Sequence, residues 1–544
     1  MTAGRRTFLR AGGTALAAAA ATRLGSGTAA AGEASGPDAG LGLASDPQRE
    51  ARAYSLRQAA ALAQRKQPRP AHLTNGDEER YGDRVGSYSK GLPHGPDGLV
   101  DPPAYDALVR AMESGDPDDF DAIPQGGVVR QVNPQAALAF ELMGPDSHHL
   151  DLRPAPALAS AEAASELAEV YWLALTRDVP FADYGHDPSI ADAAQELSAF
   201  SDFRGPTVEG QVTPDTIFRG ITPGDLTGPY LSQFLLADVP LGPYEVAQRV
   251  RVAAPGQDFL TGYDEWLACQ NGMASGSMTF LPGRRYMATG RDLAEYVHRD
   301  FSYEAFLHAA LMLLGRVPAS PDNPYLDPAS ANQAPFSTFG GPHVLDLVAH
   351  AANLALRAAW YQKWSLHRRL RPEAMGGLVH GAKALGWSVP INPELLNAGV
   401  LDRVSARFGS FLLPMAYPEG CPTHPSYPAG HAAIAGACAT VLKIFFDEAA
   451  MLANPVVPDS AGQTLQPYDG PPLTVGGELN KLASNIALGR DVAGVHYRSD
   501  GAEGLLLGEA VAVGIVRDTL HCYSERLTEF SFTSFDGTRV VLAP

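Results

Sequence analysis

Cysteine is scarce in this chain of 544 residues, which contains four: Cys269, Cys421, Cys438 and Cys522. Their wide spacing offers no Cys-x-x-Cys pair and no zinc-ligand pattern, which argues against a redox motif or zinc site of that type. In an oxidising compartment they could form one or two disulfides, whose pairing the spacing leaves open. Burial as small apolar side chains is an equal alternative.

Basic residues are also few: 41 lysines and arginines stand against 60 aspartates and glutamates, for a formal net charge of -19. Phosphate backbones are bound by faces rich in lysine and arginine, so this balance argues against a nucleic-acid partner. A small anion remains a suitable substrate if the few basic residues are gathered in one place.

Long apolar runs are missing beyond the N-terminus, so we expect no membrane-spanning helix and no membrane partner. The N-terminus itself places Arg5 and Arg6 before an alanine-rich run at residues 11–21, followed by Ala29-Ala30-Ala31. This pattern predicts a twin-arginine (Tat) signal peptide over residues 1–31, cleaved after Ala31. A positively charged helix is the alternative. We therefore expect export by Tat to the cell envelope or the extracellular space.

The pattern of apolar residues predicts a mainly α protein of two packed helical bundles with minor β-hairpins. Residues 32–48, rich in small residues, predict a disordered lead-in. Residues 49–330 are expected to form an N-terminal mainly helical half, and residues 331–544 a C-terminal helical bundle. A turn at Asp536-Gly537 predicts a hairpin over residues 530–542. Helices are predicted at residues 159–177, 292–314, 344–370, 431–446, 477–488 and 501–520.

A basic segment with the sequence KWSLHRRLRP runs from Lys363 to Pro372 without one acidic residue. An uncompensated basic cluster in an acidic chain implies an anion nearby. Pro372 disfavours helical geometry at Arg371, so the chain can bend and bring the Lys363 and Arg371 side chains together. The alternative is a solvated basic face at a helix end.

A second segment, HPSYPAGH, runs from His424 to His431 into an apolar helix. Gly430 permits close backbone approach, and the free N–H groups of a helix start favour an anion. His431 is well placed there as an acid or base acting on that anion. A proline-rich loop with a capping histidine is the alternative.

A third segment contains Arg490, His496 and Asp500. A helix is predicted to stop at Gly489 and present Arg490, and a short loop then delivers His496. Asp500 follows His496 by four residues, where one helical turn would let its carboxylate hold the imidazole N–H and orient the ring toward a metal. The alternative for a single His–Asp pair is a surface contact.

Taken together, the three segments resemble the vanadium haloperoxidase and acid phosphatase superfamily, with its order Lys…Arg-Pro, Pro-x-Gly-His and Arg-(five residues)-His-x-x-x-Asp. The amino-acid sequences of these segments are similar to those of algal-type bromoperoxidases and their bacterial relatives. The resemblance extends upstream to NGDEERY, SKGLPH, VNPQA, FELMGPDSH and TRDVPF, at residues 75–81, 89–94, 132–136, 140–148 and 176–181.

The resemblance implies a vanadate cofactor, vanadium(V), and a role for each residue of the three segments. His496 would bond the vanadium, with Asp500 behind it. His431 would help to deprotonate hydrogen peroxide, and His424 matches a histidine of the algal loop that favours bromide and iodide over chloride. The vanadate oxygens would be bound by Lys363, which would also polarise the bound peroxide, and by Arg371, Arg490 and the Gly430 N–H.

One position departs from the resemblance: Ala429 stands where the family usually has a serine next to the glycine and histidine. Two other functions stay open. A secreted acid phosphatase with His496 as nucleophile is one, because phosphate shares the tetrahedral geometry and charge of vanadate. A non-catalytic oxyanion-binding protein is the other, and it rests on the missing hydroxyl at Ala429. The partners implied by a haloperoxidase are hydrogen peroxide, a halide, a small organic substrate and further copies of the chain. The resemblance also allows a structural calcium ion, for which no residues are assigned.

Overall fold

The long apolar-striped segments form α-helices in the computed structural model, which describes residues 46–544. The Tat signal predicted for residues 1–31 and residues 32–45 of the predicted lead-in lie outside this range. Residues 46–48, which were predicted as part of the disordered lead-in, are helical. The α-helices, α1 to α16 in chain order, are Asp46–Arg65, Asp77–Arg80, Pro102–Ser114, Pro117–Asp121, Ala161–Thr176, Pro188–Leu197, Tyr263–Gln270, Gly290–Arg299, Glu304–Leu313, Gly341–Tyr361, Pro372–His380, Pro393–Leu396, Gly399–Phe408, Gly430–Phe445, Val475–Val492 and Arg498–Leu520.

Strands occur in the described residues only as three two-stranded antiparallel hairpins. The predicted hairpin at the C-terminus is confirmed, with Phe530 paired to Leu542 and Thr533 to Arg539. Its turn contains Gly537 with φ 84°, a conformation that glycine adopts without strain. The prediction of a mainly α fold with minor hairpins is therefore confirmed. The strands, β1 to β6, are Val239–Leu241, Tyr244–Val246, Val456–Pro458, Leu465–Pro467, Phe530–Thr533 and Arg539–Leu542.

Four long helices, α10, α14, α15 and α16, form the centre of the packing, and α14 is buried along almost its whole length. Small residues let α14 and α16 approach closely. A Cβ at Gly508 would lie 2.0 Å from the Ala433 carbonyl oxygen, and one at Gly436 would lie 2.1 Å from that of Leu505. Any larger side chain would separate the two helices, whose N-termini both reach the candidate site.

Two of the predicted helices are interrupted, so the prediction of a continuous helix is wrong in both cases. The helix predicted over residues 292–314 is two helices, α8 and α9, because the chain turns extended at Asp300. The helix predicted over residues 344–370 ends as α10 at Tyr361. A π-helical turn, Gln362–His367, follows and ends at Arg368 in the left-handed conformation. Such turns are frequent at functional sites because they re-aim side chains, here that of Lys363.

The predicted helix stop at Gly489 is wrong, because α15 continues to Val492. A Cβ at Gly489 would lie 3.1 Å from side-chain atoms of Leu293 and Val297, so this glycine lets α15 pack closely against α8. Arg490 consequently projects from a helix and not from a loop.

No disulfide joins the four cysteines, all of which lie in the described residues. Three of them, Cys269, Cys421 and Cys438, are buried, as the packing alternative predicted. Residues 55–544 form one compact unit, and the boundary predicted between residues 330 and 331 stays a prediction. Among the helices of residues 46–544, none has the length and apolarity to cross a membrane.

Candidate anion-binding site

The three segments singled out in the sequence meet at the N-terminal end of α14. The π-helical turn after α10 supplies Lys363, and the residue before α11 supplies Arg371. Gly430 and His431 begin α14, and Arg490 lies near the end of α15. The remaining site residues are His424 in the loop before α14, His496 in the loop before α16, and Asp500 in the first turn of α16.

Arg371 joins the second and third segments. Its Nε donates to the His424 carbonyl oxygen at 2.9 Å, and its Nη1 donates to the Val495 carbonyl oxygen at 2.6 Å. The same Nη1 lies 3.0 Å from Nε2 of His496, and Nη2 lies 2.9 Å from Nδ1 of His424. The backbone of Arg371 is extended, with φ -82° and ψ 155°, as predicted from the proline that follows it.

His496 is oriented by Asp500, as the four-residue spacing predicted. Nδ1 of His496 lies 2.8 Å from Oδ2 of the buried Asp500 carboxylate. Burial raises the pKa of Asp500, but Arg369 and the His496 hydrogen bond together lower it below its ordinary value. Burial and the charge of Arg371 lower the pKa of His496 well below its ordinary value. In the tautomer that fits these contacts, Nδ1 donates to Asp500 and Nε2 carries the lone pair, beside Arg371.

Lys363 is fully buried and donates to two carbonyl oxygens of the loop before α14, those of Pro425 at 2.8 Å and Ser426 at 2.6 Å. Burial, followed by the charge of Arg371, lowers its pKa well below the ordinary value. An ammonium group has three donors, so these two contacts leave one N–H for a further acceptor.

Arg490 has an unsatisfied donor in the buried interior. Its Nη1 donates to the Val297 carbonyl oxygen at 2.7 Å, and its guanidinium lies 5.8 Å from the centre of the Tyr417 ring. Its Nε is buried and has no hydrogen-bond partner among residues 46–544. Buried N–H groups are rarely left unpaired, and this donor is available to a ligand that accepts from it.

His424 and Gly430 line the same region under Trp360. The His424 and Trp360 rings have centroids 4.7 Å apart, and burial together with Arg371 lowers the pKa of His424 well below its ordinary value. A Cβ at Gly430 would lie 3.1 Å from Trp360 and 3.2 Å from Leu356. A side chain at position 430 would therefore force Trp360 or Leu356 to shift, and glycine lets the start of α14 pack closely against this aromatic ring.

His431 is partly open to solvent, with 28% of its side chain exposed. Its Nε2 lies 3.1 Å from Oδ1 of the buried Asp300, which leaves Nδ1 to act on a ligand. The sequence reasoning missed Asp300, because no proline or glycine marks the break between α8 and α9 that brings it here. Trp360 and Ser426 were missed because their contacts at the site are with residues distant in the chain.

The basic segment is only partly an anion-binding cluster. Arg368 pairs with Glu78, and Arg369 pairs with Glu166 and Asp500. His367 lies against the Tyr427 ring. The prediction that the whole segment lacks acidic partners is therefore wrong, because the acids come from distant parts of the chain.

The remaining cations fit a tetrahedral oxyanion. No salt bridge within the described residues pairs Lys363, Arg371 or Arg490 with an acid. Ala429, the residue before α14, provides no side-chain cap. The first N–H groups of that helix have no intrahelical acceptors and favour an anion. Three cations, an unpaired arginine Nε and an uncapped helix start therefore lie on the segments that meet at this site, with Arg371 3.0 Å from Nε2 of His496. Across residues 46–544, no three histidine, cysteine or acidic side chains are grouped as metal ligands.

Comparison with known proteins agrees with this geometry. Residues 343–524 match the family model described as the VCPO second helical-bundle domain. The chain is 38% identical to the vanadium-dependent bromoperoxidase of Corallina pilulifera over 543 residues, covering 84% of this chain and 90% of the relative. It is 38% identical to the vanadium-dependent bromoperoxidase of Ascophyllum nodosum over 487 residues, covering 85% of this chain and 87% of that one.

A solved structure extends the comparison to the whole fold. The homohexameric structure of the second vanadate-dependent bromoperoxidase of Ascophyllum nodosum superposes with a TM-score of 0.87 at 31% identity. The match covers 97% of this chain and 96% of that one. The resemblance found in the sequence is thus confirmed, and the phosphatase and non-catalytic alternatives are not favoured. The chain belongs to the vanadium-dependent bromoperoxidase family.

Proposed function

We propose that this protein uses vanadate to catalyse the oxidation of halide by hydrogen peroxide. The product is a hypohalous-acid-like species that halogenates small organic substrates. The observation that carries the proposal is that three buried basic residues without acidic partners in the described residues, Lys363, Arg371 and Arg490, meet at one site, with Arg371 3.0 Å from Nε2 of His496. The preference for bromide and iodide over chloride rests on His424 and on the bromoperoxidase relatives.

The cofactor would be held by residues already in position. Lys363, Arg371, Arg490 and the first N–H groups of α14 would neutralise the vanadate oxygens, and Nε2 of His496 would bond the vanadium. Bound vanadate supplies a Lewis acid that activates peroxide without a change of metal oxidation state. Because the donors are fixed before binding, they stabilise negative charge at little reorganisation cost.

His431 is proposed to move the proton that peroxide loses. Asp300 occupies its Nε2, so Nδ1 is the nitrogen that accepts a proton near the start of α14. Because the His431 side chain is partly exposed, peroxide and halide can reach it from solvent. Lys363, whose ammonium group donates to two carbonyl oxygens, would have its third N–H available to polarise an oxygen of the substrate peroxide.

One paired assay tests the function. The purified protein is loaded with orthovanadate and assayed for peroxide-dependent oxidation of bromide or iodide, and in parallel for hydrolysis of an aryl phosphate. We expect halide oxidation that requires vanadate. Phosphate-ester turnover without halide oxidation would instead support the acid phosphatase, and vanadate binding without either activity would support the oxyanion-binding protein.

Asp300→Asn is expected to lower the rate of halide oxidation by roughly 10-fold or more, a loss typical of removing a residue that orients a functional side chain. The amide keeps the size of the carboxylate but not the charge that holds the His431 imidazole. Orthovanadate affinity should change little, because Asp300 has no contact with the cations of the site. Steady-state rates of iodide oxidation measure the effect.

Glu304→Gln is the matched control, because Glu304 lies just beyond the same break and accepts from the Phe301 N–H. Its rate should equal that of the unaltered protein. An Asp300→Asn variant with full activity would exclude the proposed role of the Asp300–His431 pair.

We also propose export by the Tat pathway, which the sequence of residues 1–31 supports.

We further propose that the protein assembles into a homo-oligomer. The homohexameric Ascophyllum nodosum relative supports this assembly. We assign Phe140 and Leu142, which are 85% and 104% exposed and lie two residues apart, to the interface of this assembly. Light scattering should give a mass of at least two chains, and Phe140→Ser/Leu142→Ser should lower it. A monomeric unaltered protein would contradict the assembly.

A further inference from the structure

Arg369 lies directly behind the His496–Asp500 pair and is almost fully buried. Its Nη1 donates to Oδ1 of Asp500 at 2.7 Å and to the Ser499 hydroxyl at 2.9 Å. Its Nη2 donates to Oε2 of Glu166 at 2.9 Å. The guanidinium also lies 4.0 Å from the centre of the Tyr497 ring, a cation–π contact that fixes its plane.

The two oxygens of Asp500 have different partners. Oδ2 accepts from Nδ1 of His496, from the Tyr497 N–H at 3.2 Å and from the Ser426 hydroxyl. Oδ1 accepts from Arg369 and, within the described part of the chain, from no other residue. Arg369 is therefore the contact that prevents the carboxylate from rotating away from His496.

Glu166 anchors Arg369 from another part of the fold. It projects from α5, and its second oxygen, Oε1, accepts from the Ser499 N–H at 2.6 Å. One carboxylate thus holds both Arg369 and the first turn of α16, which contains Asp500. Hydrogen bonds run without a break from α5 through Glu166, Arg369 and Asp500 to the imidazole of His496.

We propose that Arg369, anchored by Glu166, is a positioning residue that fixes Asp500 and thereby holds Nε2 of His496 toward the bound oxyanion. This inference rests on the proposed function, in which His496 bonds the vanadium. Arg369 touches neither the substrate nor the cofactor in this arrangement. It acts by keeping the imidazole in one tautomer and one orientation, which is how residues behind a metal ligand raise its affinity.

The chain contains a matched control in Arg498. This arginine is also buried and pairs with a glutamate of α5, donating from Nε to Glu169 at 2.8 Å and from Nη1 to the Arg219 carbonyl oxygen at 2.8 Å. No hydrogen bond or salt bridge joins it to Asp500 in the described residues. It reproduces the buried charge pair of Arg369 without the link to His496.

The test uses the full-length protein and orthovanadate as the probe. Arg369→Gln is expected to weaken orthovanadate binding by about 10- to 100-fold in equilibrium dialysis and to change the ⁵¹V NMR shift of what remains bound. Arg498→Gln is expected to lower the midpoint of thermal unfolding to a similar extent, with a dissociation constant within about twofold of the unaltered protein.

A double variant separates positioning from simple loss of charge balance. In Arg369→Gln, Glu166 is left without its arginine partner. In Arg369→Gln/Glu166→Gln that unpaired charge is removed as well, so the midpoint of thermal unfolding should rise above that of Arg369→Gln while orthovanadate binding stays weak. Normal binding by this variant, or equal weakening by Arg498→Gln, would overturn the proposal. A crystal structure of vanadate-free Arg369→Gln with an unmoved Asp500 carboxylate and His496 ring would also overturn it. A failure of the proposed function gives a different result. If His496 does not bond the vanadium, His496→Ala will bind orthovanadate as well as the unaltered protein does.

Discussion

Replacement of His496 by alanine is expected to abolish vanadate retention and, with it, the peroxide-dependent oxidation of bromide or iodide. Because Nδ1 of His496 is directed at Asp500, Nε2 is the ring nitrogen that would bond a metal, and Arg371 lies 3.0 Å from it. Removing a residue behind a metal ligand costs about 10- to 100-fold in affinity, and removing the ligand itself should exceed that range. Equilibrium dialysis of orthovanadate and initial rates of iodide oxidation measure both losses.

His367→Ala is a control from the same basic region, because His367 is a partly buried histidine that contacts Gln362 and the Tyr427 ring and not the anion site. This variant should bind orthovanadate like the unaltered protein. Wild-type activity in His496→Ala would rule out His496 as the vanadium ligand. Loss of activity with full vanadate binding would instead place His496 in a later proton transfer.

Ala429→Ser is expected to strengthen orthovanadate binding. The alanine precedes α14, is fully buried and provides no side-chain cap, so a serine hydroxyl there would reach the ligand of the helix start. A hydrogen bond to a charged group is worth about 1.5–3 kcal/mol, or roughly 10- to 150-fold in the dissociation constant. Slower loss of vanadate during dialysis gives a second measure of the same effect.

The hydroxyl has a competing use that the experiment must distinguish. A serine before a helix can accept from the second or third N–H of the helix, which stabilises the fold by about 0.5–2 kcal/mol. Thermal unfolding without vanadate reports that capping effect, and orthovanadate affinity reports the ligand contact. Higher stability with unchanged affinity would contradict the prediction. Ala429→Gly, which also lacks a hydroxyl, should leave the affinity within about twofold of the unaltered protein.

The sequence predicted those features of the site that depend on neighbouring residues. Arg371 is extended because the ring of Pro372 restricts the residue before it. His496 and Asp500 meet because four residues place them within one turn of chain. The apolar stripes predicted most long helices, since a helix of fixed period needs only its own residues to bury one face.

Contacts between distant segments were not predictable in the same way. Asp300 reaches His431 across 131 residues, and Glu166 reaches Arg369 across 203. Arg490 was expected in a loop, yet α15 continues past Gly489 because α8 packs closely against that glycine. Each feature depends on which helices pack together, and no local pattern in the chain encodes it.

By itself, the sequence determined the family, the mainly α architecture and the set of residues that gather at the anion site, because motif spacing and helical periodicity are local properties. Tertiary structure alone decided which of the basic residues remain without acidic partners. Arg368 and Arg369 are paired by acids from distant segments, whereas Lys363, Arg371 and Arg490 are buried among carbonyl groups. Burial without a counter-charge is the physical reason that these three cations favour an oxyanion.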